Sequence, residues 1–222
     1  MASQSLNIGV LGSGNIGRNA AIHFLKAGHT VYLANSRGPE SLREAVAELG
    51  AGARAATVAD AVGRAEIVLI AVPWLAKEKM IDSAGGAGVF AGKIVIDAMN
   101  PYTEYPATED LGGRTSSEIV ASLLSPTARV VKAFNTIYFQ TLADAARPGA
   151  PLDQRIAIPI CGDDADAREK VSSLIETIGF APVDMGSLAV GGLQEPEQPF
   201  YNKDFTPPEL HAELERIGRG AV

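Results

Sequence analysis

The chain has 222 residues, enough for one sizeable core, or for a large domain with a small appendage. With 46% hydrophobic and 20% charged residues it has the balance of an ordinary globular domain, and its net charge of −7 excludes a general nucleic-acid surface, which selects for basic patches. A single cysteine, Cys161, excludes an intramolecular disulfide and a cysteine-rich metal site. No apolar run approaches ~18 residues and MASQS lacks the features of a secretory leader, so a cytoplasmic protein that neither spans nor binds a membrane is expected.

Leu6 to Leu11 is a short apolar run of the kind buried on both faces of a parallel sheet. It ends in Gly12-Ser13-Gly14-Asn15-Ile16-Gly17, a G-x-G-x-x-G spacing, and residues 15 to 27 then take a helical period with Ile16, Ala20, Phe24 and Ala27 on one stripe. Thr30 to Ala34 reads as the next strand. Gly12 permits the sharp strand-to-helix turn, Gly14 lets a pyrophosphate approach the backbone, and Gly17 lets the helix lie close to the strand. The free N–H groups and positive end of the helix then hold phosphates. An NAD-preferring site places Asp or Glu at the end of the second strand, ~20 residues past the glycines. Here the residues are Asn35-Ser36-Arg37, with a hydroxyl at Ser36 and a planar cationic fork at Arg37, so the expected cofactor is NADP(H).

A helix opens at Gly38-Pro39, with Leu42, Ala45, Val46 and Leu49 inward. Ala53 to Thr57 is a strand, Val58 to Gly63 a short helix, and Glu66 to Pro73 a central strand. Leu75 to Ser83 form a helix, Lys93 to Ala98 a strand, and 101 to 114 a long polar loop of the kind that carries function. Ser116 to Leu124 is a helix, Arg129 to Phe134 a strand, and Arg155 to Cys161 another, with Cys161 a small buried hydrophobe. Asp164 to Ile178 is an amphipathic helix capped by Asp163 or Asp164, followed by a strand at Phe180 to Asp184. A proline-rich stretch, 196 to 208, and a helix from Pro208 to Ile217 close the chain. The pattern predicts an α/β, Rossmann-type, doubly wound and mainly parallel sheet over residues 1–186. Residues 187–222 form a short arm, an acceptor-site lid or dimer contact, too short for a separate substrate domain.

In such a sheet ligands sit beyond the carboxyl ends of the strands, here Gly12 to Gly17, Ala71 to Trp74, Ala98 to Pro101 and Ala133 to Thr136. Val72 and Pro73 form an apolar wall beside the ribose and nicotinamide. Asn100 and Asn135 either hydrogen-bond the carboxamide or acceptor, or merely cap turns. Trp74 either stacks on a planar acceptor or covers a helix start. Lys132 and Asp97 lie inside strands and read as a structural pair, and His23, His29 and His211 read as structural. These strand ends carry no His, no Tyr-x-x-x-Lys pair and no carboxylate dyad, so no catalytic acid or base is assigned and no metal is expected. Hydride exchange between two planar carriers, with the protein supplying orientation, fits that absence.

The stretches GSGNIGRNAA (12–21), NSRGPESL (35–42), VLIAVPW (68–74), IVIDAMNPY (94–102), VVKAFNTI (130–137) and CGDDADAREKV (161–171) resemble the deazaflavin (coenzyme F-420)-dependent NADP oxidoreductases and the related cytosolic reductase domain of the six-transmembrane metalloreductases. The resemblance implies that Ser13, Asn15 and Ile16 line the pyrophosphate, Ser36 and Arg37 the 2′-phosphate, and Val72 and Pro73 the nicotinamide side; Ala71 and Ala133, at strand ends, are further cofactor-binding candidates. It places an acceptor, deazaflavin or FMN, near Asn135 and the Gly191-Gly192 loop. The family often carries a further base after the Ser-Arg pair, whereas Gly38-Pro39-Glu40-Ser41 offer none here. Two other functions stay open: a reductase of a small carbonyl or imine that takes its proton from solvent or Tyr102, and a non-catalytic NADP(H) sensor whose 196–208 segment docks a partner. Phe200, Tyr201 and Phe205 are too apolar to leave exposed together, which predicts a homodimer.

Overall fold

In the computed structural model, which describes residues 5–220, the apolar runs become eight strands of one sheet. They are β1 (Asn7–Leu11), β2 (Thr30–Ala34), β3 (Ala53–Ala55), β4 (Ile67–Ile70), β5 (Ile94–Asp97), β6 (Arg129–Lys132), β7 (Ala157–Gly162) and β8 (Ala181–Asp184), in the spatial order β3-β2-β1-β4-β5-β6-β7-β8. The chain winds outward from β1 to β3, then returns to lay β4 against the other side of β1. Strand order therefore reverses at β1/β4, where a doubly wound sheet opens its crevice. All pairings are parallel except β6–β7, where Val131 faces Gly162 and Lys132 faces Cys161.

Alternation along the strands divides the core. Ile94 and Ile96 of β5 join one apolar cluster and Val95 the other. The first is closed by α1 (Asn15–Lys26) through Phe24, α6 (Phe139–Asp144) through Leu142, and α7 (Ala165–Thr177) through Val171, Leu174 and Ile175. The second is closed by α3 (Val58–Arg64), α4 (Lys77–Ala84) and α5 (Ser116–Leu123) through Ala61, Met80 and Val120. The short α2 (Arg43–Leu49) packs its half-buried Ala45, Val46 and Leu49 against the first. Asp164 caps α7, its side chain accepting from the Ala167 N–H at 2.7 Å.

Three local expectations change. The stretches read as single helices from Gly38-Pro39 and from Leu75 each begin as a 3-10 turn, Pro39–Leu42 before α2 and Trp74–Ala76 before α4. The short α6 gave no sequence signal because it buries only Leu142 and has no side-chain cap. Phe200 and Phe205 are not left exposed. With Leu210, Leu214 and Ile217 of α8 (Pro207–Gly220) they cover Ala157 and Val183 at the β7–β8 end of the sheet, and the Ala157 N–H donates to the Phe205 carbonyl at 2.7 Å. Of the three aromatics that predicted a second copy, Phe200 is thus buried and Phe205 half-buried within the chain, while Tyr201 stays partly exposed.

One buried ion pair fixes the middle of the sheet. Lys132 and Asp97 are both fully buried. The Lys132 ammonium reaches Asp97 Oδ2 at 3.3 Å, the Met99 carbonyl at 2.7 Å and Ser116 Oγ at 2.9 Å, so all three of its donors are used. The Ser117 hydroxyl donates to Asp97 Oδ2 at 2.6 Å and the Met99 N–H to Oδ1 at 3.0 Å. Such a pair adds little net stability over an apolar isostere, yet removing one partner strands the other charge. Lys132→Met is therefore expected to destabilise the fold by about 3–5 kcal/mol. The shift should appear as a lower urea midpoint at unchanged slope. A loss below ~1 kcal/mol, the scale of an exposed pair, would contradict this account.

Candidate functional site

The β1–α1 turn is built by steric exclusion. Gly12 has φ 118°, and a Cβ there would collide with the Ala71 carbonyl of the neighbouring strand end. A Cβ at Gly17 would strike the Gly12 carbonyl, so the helix can lie on the turn only without one. At Gly14, by contrast, an added Cβ meets nothing within 4 Å. That open space is what a group approaching the backbone requires.

Asn35 ties this turn to the loop after β2. Its Nδ2 donates to Ser13 Oγ at 3.3 Å and Ser41 Oγ at 3.0 Å, and its Oδ1 accepts from the Arg37 N–H at 2.9 Å. The Asx turn leaves the Ser36 and Arg37 side chains exposed at the mouth of a pocket of about 350 Å³. The glycine turn, Ala71 to Pro73, Lys79, Met80 and Ser83 complete its lining, which contains no carboxylate.

A cleft of about 590 Å³ lies on the other side of the turn. It shares Gly14, Ala71, Val72 and Pro73 with the first pocket, so the two abut at the glycine turn and at the carboxyl end of β4. Its far wall is a reciprocal asparagine pair. Asn100 Nδ2 donates to the Asn135 carbonyl at 3.0 Å, and Asn135 Nδ2 donates to Asn100 Oδ1 at 3.0 Å and to the Gln194 carbonyl at 2.7 Å. Asn135 Oδ1 is buried without a partner, an acceptor left for a donor from outside the protein. Phe134, beside it, is held at φ 65°, a region a bulky side chain seldom enters. Every residue lining the cleft is uncharged, and its ionisable groups are the tyrosine hydroxyls of Tyr102, Tyr138 and Tyr201. Tyr102 donates to the Tyr201 hydroxyl at 3.1 Å. Burial, then that bond, push the Tyr102 phenol above its ordinary value, so it stays protonated at neutral pH.

Of the residues read from the sequence, Gly12, Ser13, Gly14, Ser36, Arg37, Ala71, Val72 and Pro73 line the first pocket, and Asn15, Ile16, Asn100 and Asn135 the cleft. Trp74 also borders the cleft, and four others sit elsewhere. Gly17 and the fully buried Ala133 act from behind the walls. The Trp74 ring is 1% exposed, bonds Glu109 through its N–H and has the Lys77 ammonium 4.1 Å from its centre, so it offers no free face for stacking. Gly191 and Gly192 pack on Thr115 and, for Gly191, on Cys161, outside the cleft lining. Tyr138, Phe139, Tyr201 and Lys79 were not anticipated. The spacing of Ala76, Lys79, Met80 and Ser83 is the signal that could have found the last, since it places all four on one helical face. Cys161, pushed up to about 12 by burial, is an inert thiol. The histidines supply no acid here: burial lowers both His23, bonded to the Leu142 carbonyl, and His29, and neither lines the cleft. A larger concavity of about 820 Å³ opens at the amino ends of the strands, the end of the sheet that does not gather ligands. Among the described residues no group of His, Cys, Asp and Glu is arranged to hold a metal, and no helix is long and apolar enough to cross a membrane.

The two glycines predict different losses. Gly14→Ala should fold normally, with a melting temperature within ~2 °C of the parent, yet bind a dinucleotide at least ~10-fold more weakly, because its Cβ occupies the phosphate approach. Gly12→Ala should lose both stability and binding. Equal binding by Gly14→Ala and the parent, measured by calorimetry, would contradict the assignment of the turn.

The family model described as NADP oxidoreductase, coenzyme F420-dependent, matches residues 7–101. Metalloreductase STEAP3 of Rattus norvegicus is 33% identical over 182 residues, 82% of this chain but 34% of that protein. The chain thus spans about a third of the length of the curated metalloreductases it matches. Among solved structures, a hypothetical protein of Sinorhizobium meliloti is 36% identical with a TM-score of 0.78, covering 90% of this chain and 95% of that one. A provisionally assigned F420-dependent NADP-reductase of Arthrobacter sp. is 26% identical with a TM-score of 0.70, covering 84% of this chain and 87% of that one. By sequence, residues 7–101 match the coenzyme F420-dependent NADP oxidoreductases, and by structure the chain shares the Rossmann-type α/β fold of these two solved proteins.

Proposed function

We propose that the protein passes hydride between NADP(H) and a planar redox acceptor, a deazaflavin or a flavin, bound in the uncharged cleft. The observation that carries this reading is the meeting of the two pockets at Gly14 and Ala71 to Pro73. A dinucleotide needs one long site bent around a glycine turn, with anion-binding groups at one end and a neutral end for its ring. Ser36 and Arg37 would hold the 2′-phosphate, the backbone from Gly12 to Ile16 the pyrophosphate, and Val72 and Pro73 one side of the nicotinamide. Asn135 Oδ1 offers an acceptor to a carboxamide N–H. Bound NADPH supplies the hydride.

The acceptor side follows from what the cleft lacks. With no charged residue among its lining, it suits a ring system that takes up hydride without a strong acid beside it. Tyr201 and Asn202 bring the arm after residue 186 into the cleft wall, and the Asn202 N–H donates to the Thr136 carbonyl at 2.9 Å. The arm thereby works as a side of the acceptor pocket. A second reading rests on the Tyr102–Tyr201 pair: a phenol kept protonated in the cleft can donate to a reduced carbonyl or imine.

The two readings separate in one anaerobic assay. NADPH absorbance should fall rapidly on adding oxidised deazaflavin or FMN, and Tyr102→Phe should keep kcat within ~3-fold, since no proton is needed in the step. Turnover of a small carbonyl or imine that drops ~10²-fold or more in Tyr102→Phe, with no flavin or deazaflavin reduction, would sink the first reading and support the second.

A further inference from the structure

The NADP(H) reading rests on Ser36 and Arg37, the groups legible at the end of β2. One arginine is too little charge for the ligand. A phosphate monoester carries about −1.5 to −2 charges at pH 7, and a single guanidinium leaves it half neutralised. No further base follows Arg37 in the loop.

The second cation comes from the opposite side of β1. The 3-10 turn at Trp74–Ala76 and the helix after it bring Ala76, Lys79, Met80 and Ser83 to the same pocket as Arg37. Met80 is buried and Ser83 Oγ donates to the Lys79 carbonyl at 2.7 Å, so the backbone bearing Lys79 is fixed while its side chain is exposed. The nearby cations are spoken for, Arg43 by Glu40 and Lys77 by Glu109. Among the described residues neither Arg37 nor Lys79 forms an ion pair, and no carboxylate lines the pocket they share. Two unpaired cations facing one pocket of a chain with net charge −7 concentrate positive potential at that pocket.

We propose that Lys79 is a specificity-determining residue that binds the 2′-phosphate of NADP(H) from the α4 side, completing a clamp with Ser36 and Arg37. The guanidinium fixes the orientation of the phosphate through its planar fork. The ammonium, a point charge on a flexible stem, neutralises the remaining charge without demanding a set geometry. This extends the NADP(H) reading and depends on it.

Calorimetric titration with NADPH, NADH and adenosine 2′,5′-bisphosphate tests the assignment on the full chain. Lys79→Met should weaken NADPH and the bisphosphate about 10-fold, the size of one charge-assisted contact, and leave NADH within ~2-fold. Lys79→Arg should restore most of the loss. Between pH 5.5 and 7.5 the parent's affinity for the bisphosphate should rise as the 2′-phosphate loses its second proton, at about pH 6, and Lys79→Met should flatten that rise. Lys79 is exposed, so an unchanged melting temperature is the expected control. If the parent prefers NADPH while Lys79→Met weakens both nucleotides equally, or neither, the clamp is wrong and the cofactor reading stands. A parent with no preference for NADPH over NADH overturns both.

Discussion

At the crevice of the sheet the backbones of β1 and β4 come so close that no side chain fits between Gly12 and the Ala71 carbonyl. The Ala71 N–H reaches back to the Leu11 carbonyl at 2.8 Å, and the Gly12 N–H to Ala34 at 2.9 Å, so three strand ends are drawn into one knot. Gly17 lets α1 lie directly on that knot, aiming its free N–H groups at Gly14. The proposed site is placed from here. The loop bearing Ser36 and Arg37 leaves on one side, the Val72-Pro73 wall and α4 on the other. Because the contact is backbone to backbone, its geometry depends on no rotamer, which suits a site that must hold a polyanion without reorganising.

The far side of the cleft is held differently. Lys132 and Asp97 have no direct access to ligand, but they lock the Met99 carbonyl and N–H, and so set the course of the chain into Asn100. Asn100 in turn grips the main chain at Asn135, just past the strained Phe134. That strain is of the order of 1–3 kcal/mol and persists because Phe134 is fully buried, edge-on to Phe24 at 6.5 Å. The resulting cleft is uncharged, its ionisable groups limited to tyrosine hydroxyls. On the proposed reading, such a site would orient a ring system and leave the redox chemistry to the cofactor.

The order of elements was legible because parallel strands buried on both faces leave uninterrupted apolar runs, and because the glycine spacing marks the first crossover without ambiguity. The residues before and at the turns, Gly12 to Gly17 and Asn35 to Arg37, could be read from their own local chemistry. What stayed hidden depends on contacts between distant segments. Lys79 looks like any solvated helix cation until α4 is folded beside the glycine turn. Tyr201 lies 99 residues from Tyr102 and meets it only because the arm doubles back. Trp74 borders the cleft, as its place at a strand end suggested, but Lys77 and Glu109 take up its ring face and N–H, which favours the helix-start covering that the sequence also allowed. Phe200 and Phe205 pack for a related reason on a surface distant in sequence, the chain's own β7–β8 end.

The central claim is that two pockets, each lined by Gly14 and by Ala71 to Pro73, form one dinucleotide site. A crystal structure of the protein with NADP+ tests it most directly. The account predicts density running around Gly14, with the 2′-phosphate among Ser36, Arg37 and Lys79 and the nicotinamide in the cleft beside Val72, Pro73 and Asn135. A dinucleotide bound elsewhere, such as in the larger concavity at the amino ends of the strands, or bound with its nicotinamide toward Arg37, would contradict it.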